Sequence, residues 1–489
     1  MAIGRALALS LLVAFALGSG ACREDNQGAP RVVVIGGDPR IVDPAQDSLS
    51  GPDSVLLANV AQGLVRFDAN GNIVGGIAER WAVTDDSLSY IFRLGDMYWS
   101  NGRKVTAQQV ARSLKRSILS NANPLKDPLG AVDDVVAMTD RVIEIRLSAP
   151  RPNLLALLAQ PELAVIRNAM GTGPFRIDGQ PDRTGVLRLS REVVSDDQET
   201  TRRDRLTLAG RNVAQAIGDF ERGSVDLVLG GTFNDLPLVR TAKLPRNSLQ
   251  FDPASGLFGL VPVRSNGVVG DVAVRRLLSQ AIDRTALIDA LRVPGLTPRV
   301  TILEPGLEGV PDPAVPPWTA SPLADRRPAL AGESARLFGD DAPVVRIFIP
   351  TGRGGDLLFE RLAADWSAIG LGVERAANPA SADLKLVDAV APSASPAWFL
   401  RQFRCAVVPI CDPDADAFLE SARDTLIPAQ RAAFLGLAAT QIDDSQLFIP
   451  LAAPVRWSLV SGRIQGFAGN RYARHTLVDL EQKLNPGGP

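Results

Sequence analysis

The chain is short of the side chains that carry most enzymatic proton transfer and metal binding. It has one histidine, His475, and three cysteines in 489 residues. No Ser/His/Asp set and no His-rich metal site can be built from one histidine. His475 lies in a polar C-terminal stretch and reads as a surface residue. Aromatics are 5% of the chain, with three tyrosines, so few rings are available to stack on a ligand. A surplus of charge is also missing. The formal net charge is −2, which argues against a nucleic-acid binder. After the first residues no hydrophobic run is long enough to span a bilayer. The glycine-rich "PTGRGGDLL" at 350–358 lacks both the dinucleotide and the P-loop spacing, and reads as a βα turn.

What is present is ordinary for a globular protein: 46% hydrophobic and 22% charged residues, over a length that implies two or more lobes. Residues 1–21 pair an early Arg5 with an apolar run from Ala6 to Leu17 and a small-residue end, a secretory signal pattern. Cys22 follows Ser19-Gly20-Ala21, which resembles the lipobox of bacterial lipoproteins. The position three before the cysteine is Ser19, where that pattern has Leu. The resemblance implies lipidation at Cys22; simple cleavage near Ala21, or retention as an N-terminal anchor, is the alternative. Residues 22–30 then form a short polar tether. Cys405 and Cys411, six apart in "FRCAVVPICDP", are expected to oxidise in an exported protein.

The periodicities alternate between strand and helix along the chain. "RVVVIG" at 31–36 is a strand, and "DANGNI" is a hairpin turn centred on Asn70-Gly71. Leu88, Tyr90, Phe92 and Leu94 alternate with polar residues, as in a half-buried strand. Thr106 and Gln109 form a capping box, with Val105 and Val110 placed to close a hydrophobic staple. Residues 212–231 read as helix, Gly223 stop, strand. Residues 271–291 read as one amphipathic helix capped by Asp271, with Val274, Leu277, Leu278, Ala281 and Ile282 on one face. Residues 300–335, rich in Pro and Gly, read as a long irregular connection. Residues 344–350 form a strand, and 356–374 helix, glycine turn and strand. The class is α/β.

Several of these segments, in order, resemble the family 5 extracytoplasmic solute-binding proteins of ABC importers, the oligopeptide/dipeptide/nickel-binding class. Gly63, Leu64, Ala78, Trp81, Asp86, Tyr90, Phe92, Leu94, Trp99, Ser100, Gly102, Thr106, Ala107 and Val110 match that family's pattern. "GTGPF" at 171, "FERGSVDLV" at 220, "DVAVRRLLSQAIDRTALI" at 271 and "WSAIGLGVE" at 366 match further blocks. The resemblance implies a two-lobed, type II-like periplasmic-binding-protein clamp with an extra inserted α/β lobe. The first lobe would comprise 31–54, 165–260 and 455–489, the inserted lobe 55–164, and the second lobe 261–454. Crossing strands are expected near 256–266 and 448–460.

The same resemblance implies capture of a small peptide or peptide-like solute, without a cofactor or catalysis, by a monomer. It also implies delivery to an ABC permease with its ATPase, from a periplasmic or cell-envelope position with a membrane lipid anchor. The alternative is an envelope lipoprotein that uses the clamp for sensing or chaperoning. Peptide-binding members hold the peptide amine with an aspartate ahead of an Asp/Glu-Pro. Aligned on Asp412-Pro413, that position falls on Val407 or Pro409, neither of which binds an ammonium. Arg404 stands at the usual tryptophan, where it either offers a bidentate contact to an anion or salt-bridges within the protein. Arg404, Trp398, Phe258, Asp412 and Trp457 are the candidate ligand contacts. Asp412, Asp414 and Asp416 open like a calcium loop, but Ala417 and Arg423 stand where that loop needs Gly and Glu, so a solvated helix start is expected.

Overall fold

The strand Arg31–Ile35 carries valines on both faces, and Val32, Val33 and Val34 are 2%, 4% and 1% exposed. A strand apolar on both faces belongs inside a parallel sheet. In the computed structural model, which describes residues 28–194, 201–339 and 341–482, it is the fourth of seven strands. The order is Leu249–Phe251, Arg456–Val460, Leu227–Thr232, Arg31–Ile35, Thr201–Arg211, Leu187–Val194, Arg176–Ile177. Arg31–Ile35 runs parallel to both its neighbours. The signal-like residues 1–21 and Cys22 lie outside the described residues. Among the described residues no helix is long and apolar enough to cross a membrane.

A second lobe is built on five strands, in the order Gly372–Arg375, Val344–Phe348, Leu384–Val390, Gly256–Pro262, Ile449–Ala452. Strand alternation sends Phe258 and Leu260 to one core cluster, and Leu257 and Val261 to the cluster on the opposite face. The inserted lobe is an antiparallel sheet, Ala78–Val83, Ser89–Leu94, Val142–Leu147 and Val132–Thr139, covered by the helix Ala107–Leu119. Tyr90, Phe92 and Leu94 are buried there, as their alternation predicts. Val105 and Val110 are buried in the same cluster. Gln109 Oε1 accepts from the Thr106 N–H at 3.4 Å and from Trp99 Nε1 at 2.9 Å, so the capped corner is locked to the tryptophan beside it.

Two expectations fail. Residues 271–291 form two helices, Val272–Gln280 and Arg284–Leu291, not one. Asp271 caps the first through the Ala273 N–H, and Asp283 caps the second through the Ala286 N–H. The buried Arg284 guanidinium explains the break: it donates to Ser279 O and to Pro450 O, both at 2.8 Å. The five apolar residues still share a buried face. The stretch expected to be irregular contains the helix Leu323–Phe338, with Pro328 inside it. Pro328 is the sixth residue of this helix and forgoes the main-chain hydrogen bond to Ala324 O, a cost offset by the packing of the buried Leu330 and Ser334.

The chain crosses between the large sheets twice, from Leu249–Phe251 to Gly256–Pro262 and from Ile449–Ala452 to Arg456–Val460. The first crossing comes earlier than the sequence suggests, because Gly256 is already paired with Val390 in the second sheet. A Cβ at Gly256 (φ +155°) would sit 2.1 Å from Ala389 O, so only glycine lets the strand enter there.

A cleft-edge cavity at the lobe junction

The lobes meet through side chains on and beside these crossings. The rings of Phe233, from the first lobe, and Phe258, from the second, meet edge-on at 5.0 Å. Asn234 accepts from the Gly355 N–H through Oδ1 at 2.9 Å and from the Gly354 N–H through its carbonyl at 3.0 Å, while its Nδ2 donates to Thr351 O at 2.8 Å. The 350–358 turn is thus a βα turn whose free amides are taken by the opposite lobe. Arg456 Nη1 contacts both Asp388 oxygens at 2.8 and 3.0 Å. Burial pushes the Asp388 carboxyl up, against the pull of Arg456. Glu304 ties Ser255, Arg299 and Arg471 together beside the first crossing.

Next to this junction the first and inserted lobes enclose a cavity of about 120 Å³. The ends of the two central strands (Val34, Leu229, Gly230), Gln62, Arg66, Gln160 and the 473–476 segment line it. Gln160 Nε2 reaches across to donate to Pro392 O of the second lobe at 2.7 Å, so the cavity lies directly under an interlobe contact. Arg474 is held there by Gln160 Oε1 at 3.1 Å and Glu162 Oε1 at 2.9 Å. His475 is not on the surface: its side chain is 7% exposed, with Nε2 3.2 Å from Asp252 Oδ2 in the first crossing.

A groove of about 410 Å³ adjoins the cavity, and the two share Gln62 and Arg66. Its floor explains the "GTGPF" motif. A Cβ at Gly171 would lie 2.2 Å from Val60 O, and one at Gly173 2.4 Å from Val60 C. These glycines let the loop lie flat on the end of the Gly51–Val60 helix, where Gln62 Nε2 donates to Thr172 O at 2.8 Å. Arg66 sits on the strand Val65–Phe67 between two buried residues, so alternation turns it to the other face.

The candidate contacts read from sequence are placed elsewhere. Phe258 and Trp457 are each 1% exposed in the junction core, where they pack the two lobes together and present no face to a solute. Trp398 is half-buried, edge-on to Phe399 at 5.1 Å in the outer core of the second lobe. Asp412 caps the helix Pro413–Asp424, accepting from the Asp414 and Ala415 N–H groups. Val407 is 55% exposed in a turn beside the bonded pair Cys405–Cys411. The chain leaves the Leu384–Val390 strand for the helix Pro396–Arg401, and residues 405–411 follow as a turn on the surface. Among the described residues no group of three or more His, Cys, Asp or Glu could hold a metal.

Arg404 does pair, but between lobes: its Nη2 is 2.6 Å from Asp127 Oδ1 of the inserted lobe, and Arg401 Nε is 2.8 Å from Oδ2. Burial alone would raise the Asp127 carboxyl, but hydrogen bonds from Arg401 and the two guanidinium charges hold it below its usual range. Partly exposed pairs of this kind are worth about 1 kcal/mol. Asp127→Ala is therefore expected to raise the open fraction of solute-free protein about fivefold. Distance measurements between labels on the inserted and second lobes would read this, and an unchanged distribution would rule the bridge out as a latch.

Sequence reasoning missed Gln62, Arg66, Thr172 and Arg176. The only signals were the strand alternation around Arg66 and the paired glycines at 171 and 173.

A family profile described as "Bacterial extracellular solute-binding proteins, family 5 Middle" matches residues 72–389. The probable deoxycholate-binding periplasmic protein YgiS of Escherichia coli is 26% identical over 314 residues, 56% of each chain. The chain spans about half the length of the curated relatives it matches. Two solved structures are similar over nearly the whole fold. The murein tripeptide-binding protein MppA of Escherichia coli has a TM-score of 0.77 at 18% identity, covering 93% of this chain and 99% of that one. The Haemophilus influenzae OppA complex with RPPGFSPFR has a TM-score of 0.75 at 17% identity, with the same coverages.

Proposed function

Because this chain belongs to family 5 of the bacterial extracellular solute-binding proteins, we propose that it captures a peptide or peptide-like solute between its lobes and delivers it to an ABC permease and its ATPase. The observation that carries this reading is the junction itself. Two α/β lobes are joined by two crossings, and a largely apolar cavity with a few polar side chains lies under the contact between Gln160 and Pro392. Such an architecture closes by hinge motion on a ligand held between its halves. The solutes named for its relatives, a murein tripeptide, the peptide RPPGFSPFR and deoxycholate, set the size range to search. In this reading Cys22 carries the lipid that tethers the protein to the envelope membrane.

The test is a thermal-shift screen of the purified protein against di- to pentapeptides, free and N-acylated, with sugars, organic acids, bile acids and nickel. A solute that binds only the folded state adds about 2.7 kcal/mol at a hundred times its Kd. At least one member of the peptide or organic-acid sets is expected to raise the melting temperature in a saturable way. No shift from any class would overturn the reading.

A further inference from the structure

We propose that Arg66, Arg176 and Thr172 form an anion subsite at the edge of the junction cavity, taking a carboxylate of the bound solute. This rests on the solute-binding reading above. Three observations meet at one place.

First, the Arg66 side chain has no hydrogen-bond or ion-pair partner among the described residues, and its Nη1 is buried and unsatisfied. Burial pulls its pKa down, so holding the charge there carries a cost, opposed by the fields of Asp479 and Asp68. Neither of those carboxylates bonds to it. Asp68 accepts from the Asn70 and Asn72 N–H groups, and Asp479 from the Ala69 N–H. An arginine held half-buried without a counterion is expensive unless something else supplies the anion.

Second, Thr172 is 1% exposed and its hydroxyl is also buried without a partner. It lines the same groove as Arg66. Third, Arg176 lines the groove too and, among the described residues, its side chain donates only to the Gly173 carbonyl, at 3.0 Å. Asp96, the acid of the groove, is engaged by Lys104 at 2.9 Å and lies 3.6 Å from Arg141. The groove therefore holds two uncompensated guanidinium groups and a free hydroxyl donor. A guanidinium fork takes a carboxylate in bidentate fashion, and a hydroxyl completes its second lone pair. Because Arg66 and Gln62 also line the inner cavity, a solute anchored here by its acid would lead its other end under the Gln160–Pro392 contact.

The experiment uses the purified full chain and three variants, Arg66→Met, Arg66→Lys and Thr172→Val. The probes are tri- to pentapeptides, each as C-terminal acid and C-terminal amide, and sodium benzoate against sodium chloride at equal ionic strength. Wild type is expected to bind acids at least about tenfold tighter than amides, with Arg66→Met erasing the difference, Thr172→Val reducing it a few-fold and Arg66→Lys keeping part of it. Benzoate is expected to stabilise wild type but not Arg66→Met. Without solute, Arg66→Met should melt at or above the wild-type temperature, because no native partner is lost.

Equal binding of acids and amides, with no benzoate effect, would overturn the subsite while leaving the solute-binding reading intact. Benzoate stabilisation that depends on Arg66, without any peptide binding, would support the subsite and count against peptides. A solute-free Arg66→Met that melts several degrees lower would show a structural role and overturn the proposal.

Discussion

Replacing Gly231 with alanine is expected to destabilise the protein by about 3 kcal/mol, the upper end for overpacking a core. Gly231 faces Trp457 across the pairing of Leu227–Thr232 with Arg456–Val460. A Cβ there would stand 2.1 Å from two atoms of the indole ring, closer than real contacts allow. The ring has no retreat. It is 1% exposed, its Nε1 donates to Thr232 O at 2.8 Å, and it packs in the cluster that contains Phe233 and Phe258. Gly332→Ala is the matched control: that glycine sits in the exposed face of Leu323–Phe338 with open space where the Cβ would go. Relieving glycine's entropy in a helix should stabilise by about 0.5–1 kcal/mol. Urea midpoints at constant slope would read both, and an unchanged midpoint for Gly231→Ala would show that the junction core is not packed as described.

The second large effect is a pH dependence carried by Asp443. This residue is half-buried at the end of Pro428–Asp444, and its carboxylate accepts from the Ile302 N–H at 2.9 Å. Burial, aided by the charge of Asp444, outweighs that hydrogen bond and pushes its pKa up to about 7. In the unfolded chain it titrates near the ordinary value of about 3.9. The folded state thus holds the proton more tightly. Its contribution is fully present below pH 4, is lost as pH rises towards 7, and is constant above that. The full loss is about 4 kcal/mol, from a shift of about three units at 1.36 kcal/mol each. Asp443→Asn keeps the acceptor for Ile302 and removes the titration. The variant and wild type should therefore unfold together near pH 4 and diverge by several kcal/mol at pH 8, with the variant more stable. Other carboxylates affect both proteins alike, so parallel curves would refute the assignment.

The legible parts of the fold were those where one local rule acts alone. Tyr90, Phe92 and Leu94 alternate because one face of their strand meets a core. Asp271 caps because its carboxylate meets the Ala273 N–H two residues on. Where a local signal met a tertiary one, the tertiary one won. Pro328 and its glycine- and proline-rich surroundings concealed the helix Leu323–Phe338, and the buried contacts of Arg284 broke the helix expected through 281–283. The site was least legible. Its lining comes from stretches scattered between residues 34 and 476, among them 62–66, 160, 172–176, 229 and 474, that no spacing rule connects. Motif alignment instead drew attention to Arg404 and Asp412, which the fold uses for a lobe bridge and a helix cap. Arg66 was hidden for a different reason: what marks it is the absence of a partner, and sequence does not show absent contacts.

The strand order of the first lobe also dictates when that lobe can come into being. Arg456–Val460 lies between Leu227–Thr232 and Leu249–Phe251, so two segments made midway through synthesis are separated by a gap that only the C-terminal end fills. A nascent chain stalled between residues 147 and 456 can close its inserted lobe, whose sheet runs only from Ala78 to Leu147, but cannot complete its founding sheet. The long loop closure is paid late and should make this lobe the slow one to fold. A ribosome-length intermediate can pair Arg31–Ile35 on both sides but is left with the edge of Leu227–Thr232 open and Leu249–Phe251 unattached, a state suited to chaperone escort until Arg456–Val460 arrives.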